Sequence, residues 1–135
     1  MTMDARTIGI AIDRDWQALY EEFHHPTAFA RWASGLSEAG LHEEAGEWIG
    51  EGPQGPIRVR FTPRNAYGVL DHWVLPEGGG EIAIPLRVLA NDDGAEVILT
   101  LFRQPGMDDA TFARDAAWVE KDLARPKAVA EGAAS

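Results

Sequence analysis

The stretch GVLDHWVLPEGGGEIAIPLRV, residues 68–88, alternates apolar and polar side chains on both sides of a glycine-rich turn, and that alternation decides the fold. If the turn at PEGGG (76–80) closes symmetrically, Leu70, His72 and Val74 share a face with Ile82, Ile84, Leu86 and Val88. A histidine then stands where the pattern asks for a core residue.

Working outward, GPQG at 52–55, TPRN at 62–65 and NDDG at 91–94 carry the turn chemistry that separates strands. Residues 41–104 therefore read as five strands in an antiparallel meander. The facing rule extends the apolar side to Ile57, Val59 and Phe61 before the hairpin, and to Val97, Leu99 and Leu101 after it. Arg58, Arg60, Asp71, Arg87, Glu96 and Thr100 fall on the other, solvated side. Because the period is two, a slip of one residue would reverse every assignment.

Upstream, RTIGIAI alternates Ile8, Ile10 and Ile12 with smaller residues and reads as a further strand. Asp13 is the expected cap of the helix DWQALYEEFHH, whose Trp16, Leu19, Tyr20 and Phe23 recur at helical spacing until Pro26 stops it. Thr27 can cap a second short helix, AFARWASGL. Downstream, DDATFARDAAWVEKDLARPKAVAEG is a long amphipathic helix capped by Asp108, with Phe112, Ala116, Val119 and Leu123 in one stripe. Pro126 predicts a kink or an early end, since it removes a backbone donor and clashes one turn back.

These elements predict an α+β architecture in which a curved antiparallel sheet of six or so strands wraps around the C-terminal helix, with the two short helices plugging one end. Ala113, Ala116, Ala117 and Ala124 are too small to fill a deeply curved sheet, so a ligand-sized cavity between sheet and helix is expected.

A length of 135 residues suits one domain spanning 1–135. Twenty-two acidic against 12 basic residues give a net charge of −10, which repels nucleic acid and anionic membrane surfaces. The chain has no cysteine, no basic-then-apolar leader and no apolar run near the ~18 residues that span a bilayer. The expectation is a cytoplasmic protein without thiol chemistry, and no cofactor is called for.

The order of elements resembles the helix-grip fold of the SRPBCC superfamily, which includes START lipid-transfer domains, birch-pollen-type allergens and polyketide cyclases/dehydrases. NAYGVLDHWV (65–74), PLRVLANDDGAEVILTLFRQPGMDD (85–109) and FARDAAWVEKDLARPK (112–127) are similar to its bacterial polyketide cyclase/dehydrase-like branch. Members of that branch tend to share a GVLDH strand, a TLFRQPGM strand end and an F-x-x-D-x-x-x-V-x-x-DL helix. Trp73, where a small acidic residue is common, and Pro126 depart from that pattern. The resemblance implies the fold and a ligand cavity but no particular reaction.

Three residues are candidates for chemistry. An inward His72 could move a proton or bond a ligand, or it could be a neutral core histidine. Arg103, inward at the end of the last strand, could clamp a planar anion, or could pair with Glu44 or Asp108. Glu44, placed inward by symmetric closure of the GPQG turn, could be a base or the partner of Arg103. The expected cavity lining is Trp32, Trp48, Leu70, Ile84, Leu86, Leu99, Leu101, Phe112, Ala116 and Val119.

No metal site is expected. Side chains of His24 and His25, adjacent in a helix, point about 100° apart and cannot readily join His42 and His72 at one ion. EGGGE lacks the helix and lysine of a phosphate loop, and no nucleophile elbow is present.

Two functions fit this reading. One is an enzyme of cyclase, dehydratase or isomerase type acting on a hydrophobic or aromatic small molecule, with His72 moving a proton and Arg103 steadying negative charge. The other is a non-catalytic carrier of such a molecule. A third reading, a homodimeric interaction module, draws on Trp73, Ile98 and Phe102 on the outer face.

Overall fold

The computed structural model describes residues 2–26, 28, 41–52 and 55–133. In chain order the elements are β1 (Ala5–Ile12), α1 (Trp16–Phe23), β2 (His42–Glu44), β3 (Glu47–Gly52), β4 (Gly55–Phe61), β5 (His72–Pro76), β6 (Ile82–Ile84), β7 (Leu86–Asn91), β8 (Gly94–Phe102) and α2 (Asp109–Ala133). All strand pairs are antiparallel, in a three-stranded sheet ordered β1-β8-β7 and a five-stranded sheet ordered β2-β3-β4-β5-β6.

The hairpins close as the alternation predicts. Phe61 faces His72, His72 faces Ile84 and Leu86 faces Leu99, while Ile8 joins the same apolar side opposite Leu99 from β1. β6 and β7 are one run of chain divided at Pro85, whose ring offers no N–H to the ladder but whose carbonyl accepts the Thr100 N–H at 3.0 Å. Below Pro85 the run pairs with β5; above it, with β8.

The segment between β4 and β5 ties the two sheets together. Asn65 folds it: its Oδ1 accepts the N–H groups of Tyr67 and Val69, and its Nδ2 donates to the carbonyls of Pro63 and Val69. Gly68 follows at φ 73°, so close to β7 that an added Cβ would lie 2.2 Å from the Val88 carbonyl oxygen. Leu70 then donates to Leu86 and Val88 to Gly68, and the Asp71 carboxylate takes the Leu86 N–H and the Arg87 guanidinium.

One core joins Ile8 and Ile12 of β1, Leu86 and Val88 of β7, and Val97 and Leu99 of β8 to Leu19 of α1 and to Ala116 and Leu123 of α2. Each such aliphatic side chain contributes about 1.5–3 kcal/mol by leaving water. α2 therefore seats on the three-stranded sheet, approaching β1 most closely.

Several expectations are corrected. There are eight strands among the described residues, not six or so, because Ala45 and Gly46, both at positive φ, form a tight two-residue turn that divides one expected strand, and Pro85 divides another. The cap of α1 is Asp15, whose carboxylate accepts the Ala18 N–H at 3.0 Å, not Asp13. Asp13 instead donates its own N–H to Glu131. α2 does not end at Pro126 but runs to Ala133, its far turns held by Lys127, which bonds the Ala11 carbonyl and Glu131. The expected second short helix lies mostly outside the described residues. Among the described residues no helix is long and apolar enough to cross a membrane.

Candidate functional site

Because α2 seats on β1, the inner face of the five-stranded sheet is left standing off from it. The gap is an open, largely apolar groove of about 360 Å³. Val74, Ile82 and Ile84 form the sheet wall, and Leu101 and Phe102 close one end from β8. Asp115, Trp118, Val119 and Asp122 form the helix wall.

His72 lies next to this groove but does not line it. Its cross-strand neighbour Ile84 and its same-face neighbour Val74 both do. The imidazole is 2% exposed, 5.7 Å from the Phe61 ring centre to centre, with Nδ1 3.1 Å from the Leu70 carbonyl oxygen. A carbonyl only accepts, so Nδ1 carries the proton. Burial pushes the imidazole pKa down to about 4, against the opposing pull of the Leu70 carbonyl and the Asp71 carboxylate. At neutral pH the ring is uncharged.

Arg103 is at the base of α2, occupied by protein. Its Nε donates to the Met107 carbonyl at 2.9 Å and its Nη1 to Asp109 at 2.6 Å, with Asp4 3.7 Å away and the Phe112 ring beneath it. Its carboxylate partners are thus Asp109 and Asp4, not the expected Glu44 or Asp108. Asp108 instead caps α2 through the Thr111 N–H, and the bonds from the Thr111 hydroxyl and then from that N–H hold its carboxyl below the usual range.

Glu44 is turned the opposite way from its expected inward position. The Ala45–Gly46 turn sets Glu44 opposite Glu47 and Glu43 opposite Trp48, so the inward parity carried back from the GPQG turn fails at this point. Glu44 is exposed and lies 3.4 Å from His42. The three candidate catalytic residues do not converge.

Of the expected lining, Ile84, Leu101 and Val119 border the groove. Leu86, Leu99 and Ala116 are packed in the core, and Leu70 is packed against it. Trp48 meets the His25 ring edge-on at 5.8 Å, and Phe112 lies under Arg103. Trp32 lies outside the described residues. Missed were Val74 and Ile82, already assigned inward, and the helix face Asp115, Trp118, Asp122, whose spacing of three and four residues beside Val119 was the available signal. Among the described residues no three histidine or carboxylate groups gather as a metal ion requires.

No protein-family model matches the chain, and no curated protein does. Solved structures match along nearly its whole length. XoxI from Bacillus cereus superposes with a TM-score of 0.77 at 10% identity, covering 98% of this chain and 99% of that one. Ara h 8.0201 gives 0.70 at 7% identity, covering 96% and 99%. The Aha1 dimer from Colwellia psychrerythraea gives 0.67 at 15% identity, covering 96% and 97%. With its antiparallel sheets and long C-terminal helix, the chain has a helix-grip fold, shared with these solved structures.

Proposed function

We propose that this protein binds a hydrophobic small molecule in the groove between the five-stranded sheet and α2, as a carrier rather than as a polyketide cyclase/dehydratase-like enzyme. The observation that carries the reading is the apolar gap of about 360 Å³, within the size range of small-molecule sites. Carriage is favoured over catalysis because neither His72 nor Arg103 borders that gap. His72 is a buried neutral ring bonded to the Leu70 carbonyl, and Arg103 is engaged by Met107 and Asp109.

The homodimer reading has support from the dimeric Aha1 neighbour, but the outer face is less bare than its sequence suggests. The Arg60 guanidinium covers Trp73 at 5.7 Å.

The test is titration with the neutral apolar dye N-phenyl-1-naphthylamine. Saturable binding of one dye per chain, lost when Ile82→Trp fills the groove, supports the proposal. Absence of saturable binding, or binding unchanged in Ile82→Trp, overturns it.

A further inference from the structure

The motif RQPGM (103–107) turns the chain from β8 towards α2, and Gln104 within it brings a neutral amide to the border of the groove. The backbone there is fixed by the turn that Gln104 opens. Its carbonyl accepts the Met107 N–H at 3.1 Å across Pro105 and Gly106, the latter at φ 81°, which is the residue order and the positive φ that a type II turn requires. One residue back, the Arg103 N–H donates to the Asp4 carbonyl at 2.8 Å, and the Arg103 side chain holds the Met107 carbonyl.

The Gln104 side chain is oriented as well. One end of its amide lies 3.2 Å from the Phe102 carbonyl oxygen, and because a carbonyl only accepts, that end is the Nε2 donor. Oε1 is left as the acceptor and takes no hydrogen bond among the described residues. A half-buried neutral acceptor is thus set in place on a groove whose sheet wall is Val74, Ile82 and Ile84. The other polar groups of the lining differ in kind: Asp115 and Asp122 are carboxylates of the helix wall, and Trp118 offers an indole N–H that can only donate.

Resting on the reading that this groove is the ligand site, we propose that Gln104 determines its specificity and that the ligand is a neutral hydrophobic alcohol, whose hydroxyl donates to Gln104 Oε1 while its apolar body lies against the sheet wall. Because turn and amide are already fixed, making this bond orders little further chain. An ether of similar outline turns an oxygen towards an oxygen with no proton between them, so the bond is not made.

The experiment measures 1-naphthalenemethanol and its methyl ether, 1-(methoxymethyl)naphthalene, by calorimetry at pH 7 on the parent, Gln104→Met, Asp115→Asn and Ile82→Trp. The readout is the ratio of alcohol to ether affinity. Gln104→Met keeps the length of the side chain and removes the amide, so the ratio is expected to fall about fivefold, through the alcohol alone. Asp115→Asn is expected to leave the ratio as it is in the parent. Gln104→Asn, which withdraws the acceptor by one methylene, serves in place of Gln104→Met if that chain does not fold, with the same expected fall.

If both probes are lost in Ile82→Trp but the ratio is unchanged in Gln104→Met, or shifts in Asp115→Asn instead, the groove binds hydrophobes and the assignment to Gln104 is overturned. Equal weakening of alcohol and ether in Gln104→Met overturns it too, since a residue that only shapes the turn would act on both. If neither probe binds, or binding survives Ile82→Trp, the assignment falls together with the groove reading.

Discussion

The Asp71 carboxylate meets the Arg87 guanidinium at two points, Oδ1 to Nε at 3.0 Å and Oδ2 to Nη2 at 2.8 Å, while Oδ1 also accepts the Leu86 N–H at 2.8 Å. Burial alone would raise the Asp71 pKa; the bonds from Arg87 and Leu86 outweigh it and hold the carboxyl below its usual range. The stabilisation is therefore complete above the ordinary aspartate pKa of about 3.9 and fades as pH falls through the lower folded value. Asp71→Ala leaves the Leu86 N–H without its partner and is expected to cost about 2–4 kcal/mol in urea unfolding. Arg87→Ala, removing the more exposed partner, should cost less.

His72 makes stability depend on pH in a different window. Its folded pKa of about 4 lies below the unfolded 6.5, so between those values the unfolded chain binds the extra proton and stability falls as pH drops. The expected loss between pH 7 and pH 4.5 is about 2–3 kcal/mol. His72→Leu removes this component, so parallel urea titrations at the two pH values should show a smaller difference for the variant than for the parent.

Gly68 and Gly79 separate two kinds of glycine requirement. Both have positive φ, but only at Gly68 would a methyl group strike backbone, whereas nothing lies within 4 Å of a Cβ at Gly79. Gly79→Ala should cost about 1 kcal/mol through conformation alone. Gly68→Ala should cost about 3 kcal/mol or more, because the sheet junction must also move. Thermal unfolding of the two variants side by side measures the contrast.

Arg103→Gln tests whether that guanidinium serves a ligand or the helix. Removing its contacts with Asp109 and Asp4 should lower stability by about 1 kcal/mol. Dye affinity should stay within about twofold of the parent, since Arg103 does not border the groove. A large loss of affinity without loss of stability would make it a ligand clamp.

The facing of the sheet could be read from the sequence because each turn between Ile57 and Leu101 keeps its strands in a parity that alternation reveals. Glu44 escaped that reading: Ala45 at φ 53° is a turn residue with no turn-forming side chain, so Glu44 to Trp48 passed for unbroken strand. Asp13 and Asp15 offer the same capping chemistry two residues apart, and only the position of the first helical turn decides between them. The groove's helix wall was hidden for another reason. Apolar periodicity selects the stripe that enters the core, Ala116 and Leu123, whereas Asp115 and Asp122 serve a gap and interrupt the apolar pattern.

Pro85 makes the two sheets mechanically one piece. A single run of backbone turns the corner from β6 into β7, and Asp71 rivets the opposite side of that corner to Arg87. The β-scaffold is thus continuous from one sheet to the other. Lys127 and Glu131 moor the far end of α2 to the end of β1, Ala116 and Leu123 seat its middle in the core, and Arg103 holds its first turn through Asp109, so the helix is anchored along its length.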